Sequence, residues 1–328
     1  LRLRRAGKAL KIAATRSRFD HYCAASASGQ IMRKTLLFAA FITASFAGAP
    51  AQAASGRLTI ESGGIKRSAT IVENIRLKKK RRPIVVVLRA NQTSTIRMPR
   101  RLGIEEVSRA VAPILIYPEA QDRAWTAEPG AAFERDAQFV RELVARVVAQ
   151  GAGDPKRVYL VGAAGGGMTA MRIACSSTDY AALAVAITAL PSDLAQSCKP
   201  AQPLPFLMIS GTGDPIVPFE GGKAKIRGAT VDVVSAEATL GVFARAAGCS
   251  DKRTATSIAD RDKADGTRVS IERFNGCKAP VEFYRVDGGG HTLPGRWNQA
   301  DSGVAVGARN NDVDAARVFW DFLAKQHR

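Results

Sequence analysis

Arg157-Val158-Tyr159-Leu160-Val161-Gly162-Ala163-Ala164-Gly165-Gly166-Gly167-Met168-Thr169-Ala170-Met171-Arg172-Ile173-Ala174 is the stretch on which the fold turns. Its apolar, partly β-branched start predicts a strand over Val158–Val161. Five positions, Gly162-Ala163-Ala164-Gly165-Gly166, then make a sharp turn rich in glycine, and Gly167–Cys175 supplies residues that sustain a helix. The rest of the chain repeats this alternation. Apolar runs predict strands at Ile84–Leu88, Ile114–Tyr117, Ala182–Ile187, Pro205–Ser210 and Val281–Arg285. Helical patterns occupy Leu102–Val111, Asp136–Gln150, Ala238–Ala247 and Val313–Lys325. Arg57–Ile60 and Arg67–Val72 form a leading hairpin through Gly63-Gly64, and Ser250–Gly266 is polar and reads as an exposed excursion. Strands alternating with helices at these lengths predict one doubly wound α/β domain with a mostly parallel sheet and helices on both faces.

The 328 residues are 46% apolar and 23% charged, ample for a large core. Met32-Arg33-Lys34, the apolar run Leu36–Ala47 and the small-x-small site Ala51-Gln52-Ala53 predict a secretory signal peptide over residues 32–53. The run is short for a membrane span, so no stable membrane insertion is expected. Residues 1–31 are then expected to be a non-native upstream extension, and residues 54–328 the mature domain, in the periplasm or outside the cell. Taking the leader's net +8 from the total of +19 leaves +11 on the mature chain. Part of that charge is Lys78-Lys79-Lys80-Arg81-Arg82. With no interleaved aromatic residues, this run reads as a solvated loop leading into a core strand and not as a nucleic-acid site. Beyond the leader there are four cysteines, Cys175, Cys198, Cys249 and Cys277. An even number in an exported chain suggests two disulfides; of the three possible pairings, loop economy favours the two local ones. No C-x-x-C spacing or neighbouring histidine supports a metal site.

The chemistry is sought on loops that follow strands. Phe206-Leu207-Met208-Ile209-Ser210 runs through Gly211-Thr212-Gly213 into Asp214-Pro215, a strand, a glycine turn and then a carboxylate. Val281–Arg285 leads through Val286-Asp287 and Gly288-Gly289-Gly290 into His291. The other histidines, His21 and His327, lie at the extremities, which leaves His291 as the candidate base and Asp214 as its acid. A serine on a Gly-x-Ser-x-Gly turn, followed by an acid and then a histidine, is the chain order of one class of nucleophilic hydrolases. A dinucleotide-binding reading of the same glycines lacks an acidic residue at the end of the next strand, and no Lys-Ser/Thr follows them to make a P-loop. No cofactor is expected.

Three blocks carry a resemblance. They are Arg157–Gly162 with Gly166-Gly167-Met168, then Gly211-Thr212-Gly213-Asp214-Pro215-Ile216-Val217-Pro218, and Gly288-Gly289-Gly290-His291-Thr292-Leu293-Pro294-Gly295. Together they resemble the polyhydroxybutyrate depolymerase and feruloyl esterase-like branch of the secreted α/β-hydrolases, over nearly the whole mature domain. The resemblance implies an α/β-hydrolase fold and an ester or polyester substrate. It implies that Asp214 and His291 stand at the acid and base positions and Ala164 at the nucleophile position. Two departures matter. Ala164 has no oxygen with which to attack a carbonyl. Where this family continues its strand with His-Gly, this chain has Arg89-Ala90. The oxyanion hole the resemblance implies would use backbone N–H groups of Gly165 and of Ala90 or its neighbour Asn91. Ester hydrolysis is therefore expected to be lost or strongly reduced. The alternative is a non-catalytic protein that binds a polyester, an aromatic ester or an anionic surface partner.

Overall fold

The computed structural model describes residues 54–73, 81–89, 103–226, 229–295 and 306–328. The leader, residues 1–53, lies outside them. A hairpin, β1 (Ala54–Ser62) and β2 (Ile65–Glu73), is followed by β3 (Arg82–Leu88), the short helix α1 (Ile104–Val107) and β4 (Ile114–Pro118). The long helix α2 (Ala131–Ala149) leads to β5 (Gly153–Ala163), α3 (Gly165–Cys175) and β6 (Ala182–Ala186). Next come α4 (Ser192–Ala195), β7 (Phe206–Gly211), a second hairpin of β8 (Gly222–Ile226) and β9 (Ala229–Val233), and α5 (Ala236–Ala246). The chain closes with β10 (Arg253–Ser257), β11 (Arg268–Phe274), β12 (Val281–Asp287) and α6 (Ala315–Leu323).

Ten strands form one sheet in the order β1-β2-β4-β3-β5-β6-β7-β12-β11-β10. The six from β4 to β12 are mutually parallel, and antiparallel strands flank them on both sides. The chain runs outward from β3 to β4 and then crosses back to β5, on the other side of β3. Strand order therefore reverses at β3/β5, and ligands of open α/β sheets bind at the carboxyl ends of strands at such a point. The stretch Arg157–Ala174 crosses this point.

Successive side chains of a strand face opposite sides, which explains the unbroken apolar runs. Ile84, Val86 and Leu88 of β3 face a layer made by Phe139, Val140, Leu143 and Val147 of α2, Met171 of α3 and Phe243 of α5. Val85 and Val87 face the opposite layer, where α1 and α6 contribute Ile104, Val318, Phe319 and Phe322. Helix α3 is buried at nearly every position from Gly165 to Ala174, so it has no polar face to reveal it by periodicity. A buried ion pair fastens the leading hairpin to α2. Arg67 lies 2.8 Å from Asp136, with both side chains under 5% exposed, and its guanidinium stacks on Phe139 at 4.0 Å. Two disulfides, Cys175–Cys198 and Cys249–Cys277, close local segments. Among the described residues no helix is long and apolar enough to cross a membrane.

Two expectations are corrected and a third is extended. The helix expected over Leu102–Val111 spans only Ile104–Val107; the Ser108 hydroxyl folds back on the Ile104 carbonyl, and Ala112 takes φ 48°. Ser250–Gly266 is exposed as expected, and it also contains β10, an edge strand whose every residue is exposed and which the sequence did not announce. With solvent on both faces it has no apolar alternation to betray it, and its order comes from pairing with β11 and from Arg253 stacked 4.2 Å over Phe274. Arg82, counted in a solvated basic loop, is the buried first residue of β3, 2.6 Å from Glu73; Lys78–Lys80 lie outside the described residues. The β8–β9 hairpin had no sequence forecast.

Candidate active site

Ala164 sits between β5 and α3 with φ 49° and ψ −127°, a conformation that ordinarily belongs to glycine. Holding a non-glycine residue there costs about 1–3 kcal/mol, which the surroundings must supply. They do so through the backbone. The Ala164 N–H donates to the Ala186 carbonyl at 3.2 Å, at the end of β6. Its own carbonyl accepts the buried Thr188 hydroxyl at 2.8 Å and the N–H groups of Gly167 and Met168 at 2.9 and 3.2 Å. The glycines around it are explained by close approach. A Cβ on Gly162 would stand 2.6 Å from Gly167 Cα, and one on Gly166 would overlap the carbonyl oxygens of Leu88 and Arg89. None of these contacts involves the Ala164 side chain.

Asp214 and His291 are brought together. His291 Nδ1 lies 2.8 Å from Asp214 Oδ2, with side chains 6% and 1% exposed. The other carboxylate oxygen, Oδ1, accepts the N–H groups of Ile216 and Val217, each at 2.8 Å. That leaves Oδ2 to accept from Nδ1–H, so the neutral imidazole keeps its lone pair on Nε2, the arrangement a general base needs. Glycines again permit the approach. A Cβ on Gly211 would overlap the Gly289 carbonyl, and the Gly213 N–H donates to that same carbonyl at 2.9 Å.

Ala164, Asp214 and His291 each follow a strand, β5, β7 and β12, of the parallel set. Parallel direction puts all three at one edge of the sheet. β7 and β12 are neighbours, and only β6 separates β5 from β7, a lateral step of about 10 Å at the usual strand spacing. Gly165 is the first residue of α3, where N–H groups have no acceptor within the helix. Ala90, the other expected oxyanion contributor, lies outside the described residues. Thr169 is not a substitute nucleophile, since its hydroxyl donates to the Thr126 carbonyl at 2.9 Å.

Of the neighbours of the site, Arg89 was marked in the sequence and the others were not. Ile187, immediately after β6, is a β-branched residue at φ 47°, an outlier of the kind that gathers at functional sites. Arg89 follows β3 and is buried; burial lowers its pKa against the opposing pull of Glu119 and Tyr117. Tyr117 donates to Glu105 at 2.9 Å, and burial raises the Glu105 pKa to about 7. The β8–β9 hairpin packs Ala224 and Val233 with Val217 and with Met168 of α3, an apolar mass beside the Asp214 loop.

No family model matches the sequence. The chain is 31% identical over 264 residues to "Putative esterase NocK" of Nocardia uniformis subsp. tsuyamanensis, covering 74% of each chain. It is 28% identical over 180 residues to Feruloyl esterase B of Piromyces equi, covering 52% of this chain but only 31% of that protein. Among solved structures, the acetyl xylan esterase from Aspergillus awamori superposes with a TM-score of 0.53 at 12% identity, over 75% of this chain and 96% of that one, which speaks to the fold alone. With a strained turn after β5 and an acid–histidine pair after β7 and β12, the chain belongs to the esterase family that includes NocK, within the α/β-hydrolase fold.

Proposed function

We propose that this protein is an exported relative of the polyhydroxybutyrate depolymerase and feruloyl esterase-like hydrolases that keeps the acid and base positions, Asp214 and His291, but lacks the nucleophile, with Ala164 in its place. Carboxylic ester hydrolysis is then lost or strongly reduced. The observation that carries this reading is the strained turn itself. At φ 49° and ψ −127°, Ala164 holds a backbone geometry for which an alanine side chain has no use. In an intact relative, a serine at that position would be deprotonated by His291 Nε2, attack the ester carbonyl and pass through an acyl-enzyme, while Asp214 orients and stabilises the imidazolium. Gly165 and Ala90 would offer N–H groups to the oxyanion. With Ala164 there is no acyl-enzyme route, and what remains is a water molecule activated by His291.

The mature domain is read as residues 54–328, released from a signal peptide over residues 32–53. Two disulfides support an oxidising compartment. The ligand class is an ester or polyester, with the apolar mass around Val217 and Met168 beside it. The test is p-nitrophenyl acetate and butyrate hydrolysis by the mature protein and by Ala164→Ser. The expected result is near-background turnover for the wild type and a rise of about 10³-fold or more for the variant. Robust wild-type turnover that survives His291→Ala defeats the reading.

A further inference from the structure

The His291 loop does not stand alone. A segment from Val306 to Asp314, between that loop and α6, lies directly on it. The His291 N–H donates to the Val306 carbonyl, the Gly290 N–H to Ala308 at 2.8 Å, and the Thr292 hydroxyl also to Ala308 at 3.1 Å. Gly289 and Ala308 form a parallel bridge. The two backbones run so close that a Cβ on Gly290 would overlap the Val306 carbonyl, and one on Gly307 would stand 2.8 Å from Gly290 Cα. Farther along, the Gly295 N–H donates to the Asn310 carbonyl at 2.9 Å. Gly289 through Thr292, and Gly295 beyond them, are thus pinned from one side by this segment.

The segment is held in turn from its outer side by the polar stretch between β10 and β11. Asp312 Oδ1 accepts the N–H groups of Arg261 and Asp262 at 2.7 and 3.2 Å. Asp265 Oδ2 accepts the Asn311 N–H at 2.8 Å, and the Asn311 amide reaches Asp262 at 2.8 Å. Asn310, only 1% exposed, joins the two sides. Its amide nitrogen donates to Thr267 Oγ1 and to Asp312 Oδ2, each at 2.9 Å, and its amide oxygen accepts the N–H groups of Asp312 and Val313 at 3.0 and 3.3 Å. Asp314 then caps α6 by accepting the Arg317 N–H at 3.0 Å. The stretch that reads in sequence as a mere exposed excursion is therefore the outer half of a clamp.

We infer that residues 306–314 form a strap that holds the His291 imidazole in register with Asp214, and that Asn310 is the positioning residue that locks the strap to the stretch between β10 and β11. The buried amide is well suited to this. All four of its bonds stay within the clamp, and losing them would leave the N–H groups of Asp312 and Val313 without their acceptor and break the link to Thr267, whose hydroxyl would keep only Asp265. The loop would then open locally without the domain unfolding. The inference rests on reading His291 as the base position, but its test needs no nucleophile and no turnover.

The experiment is NMR of the mature protein, following the low-field Nδ1 proton of His291, assigned by its absence in His291→Gln. In Asn310→Ala this line should broaden away or exchange at least ~10-fold faster, because the loop opens more often. Asp312→Ala, which cuts the Arg261 and Asp262 bonds and one of the two donations of the Asn310 amide but leaves Asn310 on Thr267, should give a smaller acceleration, and Asp312→Asn, which keeps an oxygen for Arg261 and Asp262, should restore part of the protection. Val140→Ala, a truncation in the core beneath α2, supplies comparable destabilisation and should leave the line unchanged. If Asn310→Ala does not fold, the pair Asp312→Ala and Asp312→Asn decides. An unchanged line in the strap variants, or an equal loss in Val140→Ala, overturns the inference. A failure of Ala164→Ser to gain turnover would count against the proposed function and leave the strap untouched.

Discussion

At one edge of the sheet two regions are built on opposite principles. The turn at Ala164 is made by backbone: its carbonyl and N–H are all bonded, the glycines on either side are in contact, and the side chain contributes nothing to its shape. The pair after β7 and β12 is made by side chains, with Asp214 receiving two N–H groups on one oxygen and His291 on the other. The difference teaches that the form of the turn is independent of the side chain at position 164, whereas the form of the pair is not. An oxygen present or absent on the side chain at position 164 would alter none of these backbone bonds. Asp214 and His291 have no such freedom, because Asp214 also satisfies the backbone that follows it.

Four variants, from the largest expected effect downward, sharpen or break this contrast. Gly166→Ala places a methyl group on the carbonyls of Leu88 and Arg89, which are backbone and cannot rotate away; a loss of about 3 kcal/mol or more is expected from urea unfolding. A tolerated methyl group would mean that the turn is not held by close approach. Asp214→Ala strands the N–H groups of Ile216 and Val217 and leaves the imidazole unpaired, at a cost of about 2–3 kcal/mol. Asp214→Asn should recover much of that, since its amide oxygen still accepts, and equal losses in the two variants would show that the backbone bonds are unimportant.

The third variant probes the β3–β4 side of the turn. Glu105 has a folded pKa of about 7 against an ordinary 4.5, caused first by burial. A carboxyl group raised in the folded state binds more protons there than in the unfolded chain. Stability therefore falls as pH rises from about 4.5 through 7 and is level on either side. Glu105→Gln should remove that slope, worth on the order of 2 kcal/mol, and urea midpoints at pH 5 and pH 8 measure it. A wild-type midpoint that does not fall would contradict the assignment. The smallest effect is expected for Ala164→Gly. Relief of the strain at φ 49° should outweigh the added flexibility of the unfolded chain and raise stability by about 1 kcal/mol. A loss of stability would show that the turn is not strained.

Much of this edge was legible in the sequence because its features are local. A β-branched run breaking into glycines marked β5 and the turn. Gly211-Thr212-Gly213-Asp214 and Gly288-Gly289-Gly290-His291 announced strand exits that need close approach. What was hidden depends on distant partners. Thr188 matters only because its hydroxyl meets the Ala164 carbonyl, 24 residues away in sequence. Ile187 carries no mark of its positive φ, since nothing in an isoleucine signals a left-handed backbone. β10 has exposed residues on both faces and so lacks the alternation that reveals a half-buried strand. Asn310 and Asp312 read as ordinary loop polar residues until the stretch between β10 and β11 is seen to close over them.

The central claim is that the turn is an intact nucleophile elbow lacking only its oxygen. Its most direct test is titration of the mature protein with diethyl p-nitrophenyl phosphate, in which a competent hydroxyl attacks phosphorus and expels p-nitrophenolate. Wild type should release no burst and gain no mass, whereas Ala164→Ser should release about one p-nitrophenolate per chain and gain one diethylphosphoryl group, slowed strongly by His291→Ala. A folded Ala164→Ser protein that remains unmodified, or a wild-type protein that is stoichiometrically phosphorylated, would contradict the account.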